Sequence, residues 1–112
     1  MKTINRTVLT IMPKRPYIDW ANRFDDDGPR LNEDAVHATS ILITDKYDEY
    51  NYSVFLRKHY KEIFEMELDS WMTDPDAWPQ KRSYPMFLEW FTVVVSDTVL
   101  EMGKGPIRVE EY

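Results

Sequence analysis

Apolar residues recur along this chain at two spacings, and the switches between them divide it into elements. Thr7-Val8-Leu9-Thr10-Ile11-Met12 is a β-rich run that stops at Pro13, which predicts a first strand. Pro16 suits the first turn of a helix, where a missing N–H costs nothing. Tyr17, Trp20, Ala21 and Phe24 then follow at i, i+3, i+4 and i+7 and predict a short helix over 16–24. Asp25-Asp26-Asp27-Gly28-Pro29 ends it. Over 30–36 only Asn32 offers a cap, and no helical pattern sustains it. His37 to Thr44 predicts a second strand centred on Ile41-Leu42-Ile43. Its continuous apolar triplet suits a strand covered on both faces, or wet on part of one.

The second half begins with a longer helical pattern. Asp45 or Asp48 is the expected cap. Tyr52, Leu56, Tyr60, Ile63, Phe64, Leu68 and Trp71 keep helical spacing, and Lys58–Glu62 and Lys61–Glu65 lie at i,i+4 on the wet face. A helix over 48–71 would measure roughly 36 Å. That is long for a domain of this size, whose radius of gyration should be about 13 Å, so a bend or break is expected between Ser53 and His59. Asp74-Pro75 predicts one helical turn to Trp78, closed by Pro79. Ser83 and Pro85 start a further short helix with Phe87, Leu88 and Trp90 on its apolar side. Phe91-Thr92-Val93-Val94-Val95 switches to strand chemistry and is expected to run on through Val99-Leu100, until Gly103-Lys104-Gly105-Pro106. Residues 107–112 are expected to form a flexible tail.

This order predicts an α+β fold, β-α-β-α-α-β, with a small three-stranded mixed sheet and helices on one face. The chain has 112 residues, so one domain over 1–112 is expected. Apolar residues make up 43% of it and aromatics 14%, enough for a core without staples. Trp20, Leu56, Tyr60, Ile63, Trp71, Phe87, Trp90 and Val93 are the expected core. Four Trp and seven Tyr are many for this length, and each keeps a polar atom that needs a partner. Part of the aromatic set should therefore sit at the core's edge.

The chain has no cysteine, which excludes disulfides, thiolate metal sites and cysteine nucleophiles. It also favours a reducing compartment. The N-terminal apolar run, Val8 to Met12, is too short for a signal-peptide core or a membrane span, so the expected location is cytoplasmic.

Net charge is −6, which argues against a nucleic-acid partner. The charge is uneven: residues 1–24 carry +4, residues 25–49 carry −6 and residues 50–112 carry −4. A solvated acidic loop beside a basic first helix explains this. A bipolar surface that orients a partner is the sharper alternative.

Catalytic and metal motifs are missing. His37 and His59 are the only histidines; Phe55 and Ile63 stand four residues either side of His59, and His37 stands alone at a strand start. No serine sits in a nucleophile elbow. Three glycines, all in turn contexts, cannot build a phosphate-binding loop, so no cofactor is expected. Glu67 is the exception of interest. With Ile63 four residues before it and Trp71 four after, it falls on the apolar side of its helix. A buried carboxyl there would be a general acid or base near an aromatic wall. The plainer expectation is a stripe-edge side chain that reaches water, or one paired with an arginine.

The densest constellation is Trp71…Asp74-Pro75-Asp76-Ala77-Trp78-Pro79…Arg82. Trp78 in a proline-fixed turn would lose little entropy on contact, and Arg82 offers a planar fork for a carboxylate or phosphate. The candidate binding residues are therefore Asp19, Trp20, Trp78 and Arg82. The plainer reading is an Asp–Arg bridge, from Asp19, Asp74 or Asp76, that locks the connection.

Pro13-Lys14-Arg15-Pro16-Tyr17-Ile18-Asp19-Trp20, then Trp78-Pro79-Gln80-Lys81-Arg82, then Phe87-Leu88-Glu89-Trp90-Phe91, resembles a family of small bacterial proteins with no assigned activity. The resemblance covers residues 7 to 102. It implies a bacterial protein and supplies no reaction, cofactor or site residue. The expectation is a non-enzymatic binding module with a protein or peptide partner, and a homodimer stays open. The alternative is a small carboxylate-dependent enzyme using Glu67, Asp74 or Asp97.

Overall fold

A computed structural model describes residues 1–24, 31 and 37–112. Expectations for the Asp25–Pro29 turn and the Asn32 cap lie outside the described residues. The elements are β1 (Lys2–Thr3), β2 (Arg6–Pro13), α1 (Arg15–Ala21), β3 (Thr39–Thr44), α2 (Tyr52–Asp69), a 3₁₀ turn (Pro75–Ala77), α3 (Tyr84–Trp90), β4 (Phe91–Ser96) and β5 (Leu100–Glu101). The fold is α+β, as the pattern predicts.

The three-stranded sheet has the order β3-β2-β4. Both its ladders are antiparallel, with Leu9 opposite Ile41 on one side and Val95 on the other. The expected mixed sheet is thus corrected to an antiparallel one. A second, two-stranded sheet joins β1 to β5. The run from Phe91 does not continue through Leu100; it stops at Ser96, and Leu100–Glu101 pairs with Lys2–Thr3 instead.

Alternation along β2 separates the sheet's faces. Thr7, Leu9 and Ile11 are buried, whereas Val8, Thr10 and Met12 are half-buried. The buried face shares one core with Tyr17 and Trp20 of α1, Leu56, Ile63, Phe64 and Leu68 of α2, and Phe87 of α3. Trp20, Leu56, Ile63 and Phe87 are buried as expected. Tyr60, Trp71, Trp90 and Val93 are only half-buried and pack against the core's margin.

α1 ends at Ala21, short of Phe24, and Asn22 explains why. Its backbone N–H caps the helix on the Ile18 carbonyl, while its side chain exchanges two hydrogen bonds with the backbone of Leu31. The long helix is unbroken over 18 residues, so no break falls near 53–59. It starts at Asn51 rather than at Asp45 or Asp48; Asp48 instead accepts bonds from the N–H groups of Tyr50 and Asn51, closing a turn before the helix. At about 27 Å it fits a molecule whose longest dimension is 45 Å. Asp74 and Ser83 cap the two later turns as their sequence context predicts. No helix among the described residues is long and apolar enough to cross a membrane.

Candidate functional site

The Trp-rich connection from α2 to α3 is held by its own side chains. Trp71 donates its indole N–H to the Ala21 carbonyl, Trp20 to Ala77 and Trp78 to Met72, at 2.8, 3.0 and 2.7 Å. Trp71 and Trp78 thus sit at the core's margin and Trp20 within the core, each with its polar atom turned onto a backbone carbonyl.

The four candidate residues do not form one open patch. Trp20 is 3% exposed and packs at a tilt against Tyr17 and edge-on against Phe24. Asp19 is exposed and pairs with Arg15 one helical turn away. Trp78 and Arg82 do meet, with the guanidinium 5.8 Å from the ring centroid. The Arg82 fork is already engaged: Nη2 donates to Glu65 at 2.6 Å and Nη1 to the Pro79 carbonyl at 2.6 Å. Its acidic partner is Glu65 of α2, not Asp19, Asp74 or Asp76. The i+17 separation of that pair hides it from local pattern reading.

Glu67 lies elsewhere, on the side of α2 near β3. It is 5% exposed, and among the described residues it pairs with no arginine. Among the described residues its Oε1 has no hydrogen-bond partner. Burial pushes its carboxyl above the ordinary value, and the Thr39 hydroxyl works against that rise. Two hydroxyls nearby serve the Glu67 backbone instead: Tyr17 and Ser70 both donate to its carbonyl, at 2.6 and 2.7 Å. Burial pushes the Tyr17 phenol up to about 12.

Glu67, Thr39 and Ser70 stand between two cavities. One, of about 340 Å³, is bounded on its apolar side by Pro13, Tyr17, Leu31 and Trp71, with His37 also on its wall. The other, of about 530 Å³, runs past Ala38, Thr39, Ser40 and Ile41. A third, of about 470 Å³, continues from Ile41 and Met66 to Phe55, His59 and Ile63. The second and third form a cleft between β3 and α2, lined also by Tyr112 and, in the third, Glu111 from the end of the chain. Successive strand residues point to opposite faces, so a cavity lined by four in a row runs along the strand's edge. Among the described residues β3 pairs only with β2, leaving that edge without a strand partner. Sequence spacing placed Glu67 on the apolar stripe; the cleft beside it depends on the β3–α2 approach, which no local pattern encodes.

No protein family, curated protein or solved structure matches the chain.

Proposed function

We propose that the protein is a non-enzymatic binding module that seats an extended segment of a protein partner in the cleft between β3 and α2. One observation carries this reading: Ala38 to Ile41 border the cleft in succession, beside a strand edge with no strand partner among the described residues. A peptide laid along such an edge gains backbone hydrogen bonds from the strand. Phe55, Ile63 and Met66 of α2 supply apolar contacts for its side chains. The partner is basic: Glu62, Glu67 and Glu111 all line the cleft of a chain with net charge −6. The reading takes the helices to cover one face of the sheet and leaves the face with Leu42 and Val94 to water.

The test pans short linear peptides displayed on phage against the wild type and against Met66→Glu. Basic clones held by the wild type and lost by the variant, with the variant's melting temperature preserved, support the reading. A selection without enrichment, or clones held equally by both proteins, overturns it.

A further inference from the structure

We propose that β4 is the pairing edge of a symmetric dimer, in which it lies antiparallel against the same strand of a second copy of this chain. The inference goes beyond the partner cleft and does not depend on it. The sheet order places β4 at the end opposite β3, with β2 as its one strand neighbour among the described residues. The direction of its free backbone groups follows from one bond. The Lys14 N–H donates to the Trp90 carbonyl at 2.7 Å, just beyond the Pro13–Phe91 pair and in the same register. Hydrogen-bonded pairs alternate along an antiparallel ladder, so Thr92, Val94 and Ser96 turn their groups to β2. Val93 and Val95 turn theirs outward. The N–H of Phe91, of the same parity, agrees: it caps α3 on the Phe87 carbonyl instead of entering the ladder.

Sheets commonly blunt such edges with charge, proline or a bulge. Phe91-Thr92-Val93-Val94-Val95-Ser96 has neither charge nor proline, and its ladder to β2 runs through six consecutive pairs without a bulge. The core also thins here. Leu9 and Ile11 are fully buried on the central strand, whereas their neighbours Val95 and Val93 are half-buried, and Val94 on the other face is 43% exposed. Charge selects the occupant. A chain of net charge −6 repels its own copy, and Glu62 and Glu111 beside the β3 edge add to that repulsion. β4 carries no charge, so two copies can meet there. A foreign peptide on an edge is chosen by pockets for its side chains, and none of the three cavities above includes a β4 residue. A strand laid antiparallel on itself is self-complementary. Since the Phe91 N–H is spent on α3, the two-fold axis falls at Val94. Val93 of each copy then exchanges both its bonds with Val95 of the other, and the two Val94 side chains meet at the close spacing of a non-hydrogen-bonded pair. Both β3 edges stay open.

Sedimentation equilibrium of the full chain, run from about 10 μM to about 1 mM, reads the pairing. An interface of one strand and its flanks falls at the small end of the range, so a weak dimer is expected. The mass should climb from 13.5 kDa towards twice that value, and on dilution the ¹⁵N-labelled chain should shift the amides of Val93 and Val95. Val94→Lys sets two cations against each other across the axis and should weaken association by about ten-fold or more; Val94→Glu should do the same. Mixing these two variants should restore a dimer, since each then faces an opposite charge. Leu42→Lys, on the same sheet face but at the β3 side, should leave association unchanged. Val94 and Leu42 are both exposed, so all of these variants should keep the wild-type melting temperature. The proposal is overturned if the chain stays monomeric throughout, if the dilution shifts fall elsewhere than on β4, if Val94→Lys associates unchanged or if the mixture is no more dimeric than its parts. Leu42→Lys disrupting as strongly as Val94→Lys also overturns it, since that marks two sheets packed face to face. The phage selection reads the β3 edge, so either proposal can fail without the other.

Discussion

Replacing Arg82 by alanine removes three contacts, and each has a size. The Arg82–Glu65 pair joins side chains that are 19% and 46% exposed. Water screens it from one side, which places it near the top of the surface range, at about 1 kcal/mol. The bond to the Pro79 carbonyl contributes about 1 kcal/mol more. The guanidinium over the Trp78 ring adds about 0.5 kcal/mol. Against this, the Arg82 Nε is buried without a partner among the described residues, so its removal returns a little. The net loss is about 2 kcal/mol. An unfolding entropy of about 2.1 cal/mol/K per residue over 112 residues makes each kcal/mol worth about 4 °C, so the melting temperature should fall by about 8 °C. Calorimetric melts of the wild type, Arg82→Ala, Glu65→Ala and the double variant form a cycle whose coupling should be about 1 kcal/mol. A fall below about 3 °C with no coupling would show that the clamp does not hold the connection, and would return Arg82 to the list of residues free to meet a ligand.

Glu67→Gln should raise stability at neutral pH. Below the ordinary carboxyl value of 4.5 both states are protonated and Glu67 costs nothing; as pH rises from there, the unfolded chain ionises first and the wild type loses stability until its raised folded value is passed. Urea melts across that range should show the variant's advantage growing with pH and then levelling; an advantage that is flat or shrinks with pH refutes the burial argument. Phe64→Ala, at a fully buried position flanked by Phe87, Trp90 and Phe91, should cost about 3–5 kcal/mol in the same melts. Trp90→Ala should cost less than Phe64→Ala, because Trp90 is half-buried; equal losses would place it in the core's centre. Tyr17→Phe deletes the phenol's bond to the Glu67 carbonyl and should cost about 1 kcal/mol, and it should remove from the alkaline absorbance titration the tyrosine that ionises near 12.

Local chemistry made most elements legible. Pro16, Pro75 and Pro85 stand in the first turns of their helices, and Asp74 and Ser83 accept the capping bonds, because these rules act within four residues. The switch from Trp90 to Phe91, helix to strand without a loop, was visible as a change from 3.6 to β-branched chemistry. What stayed hidden was long-range. The two-residue strands β1 and β5 have no pattern of their own and exist only by pairing with each other. The antiparallel sense of the sheet follows from how the chain returns after α1 and α3, not from any strand's composition. Trp78 and Arg82 were read as neighbours, and they are; that Glu65 would take the guanidinium depended on where α2 passes. Glu67 was placed on the apolar stripe by spacing alone, whereas its bare oxygen and the adjoining cavities needed β3 beside it.

The ladder between β2 and β4 also sets how the fold answers a pulling force. Arg6 begins β2 next to the end of β4, since Val8 faces Ser96. Tension applied through the segments before β2 and after β4 therefore opens that ladder at one end and breaks its bonds in sequence rather than all together. The two pairs of β1 and β5 lie on the same line of load and open before it. A strand sheared along its length resists as a set of parallel bonds; one peeled from its end resists as a single bond at a time. Stretched between those two segments in an optical trap, the sheet yields at low force by unzipping.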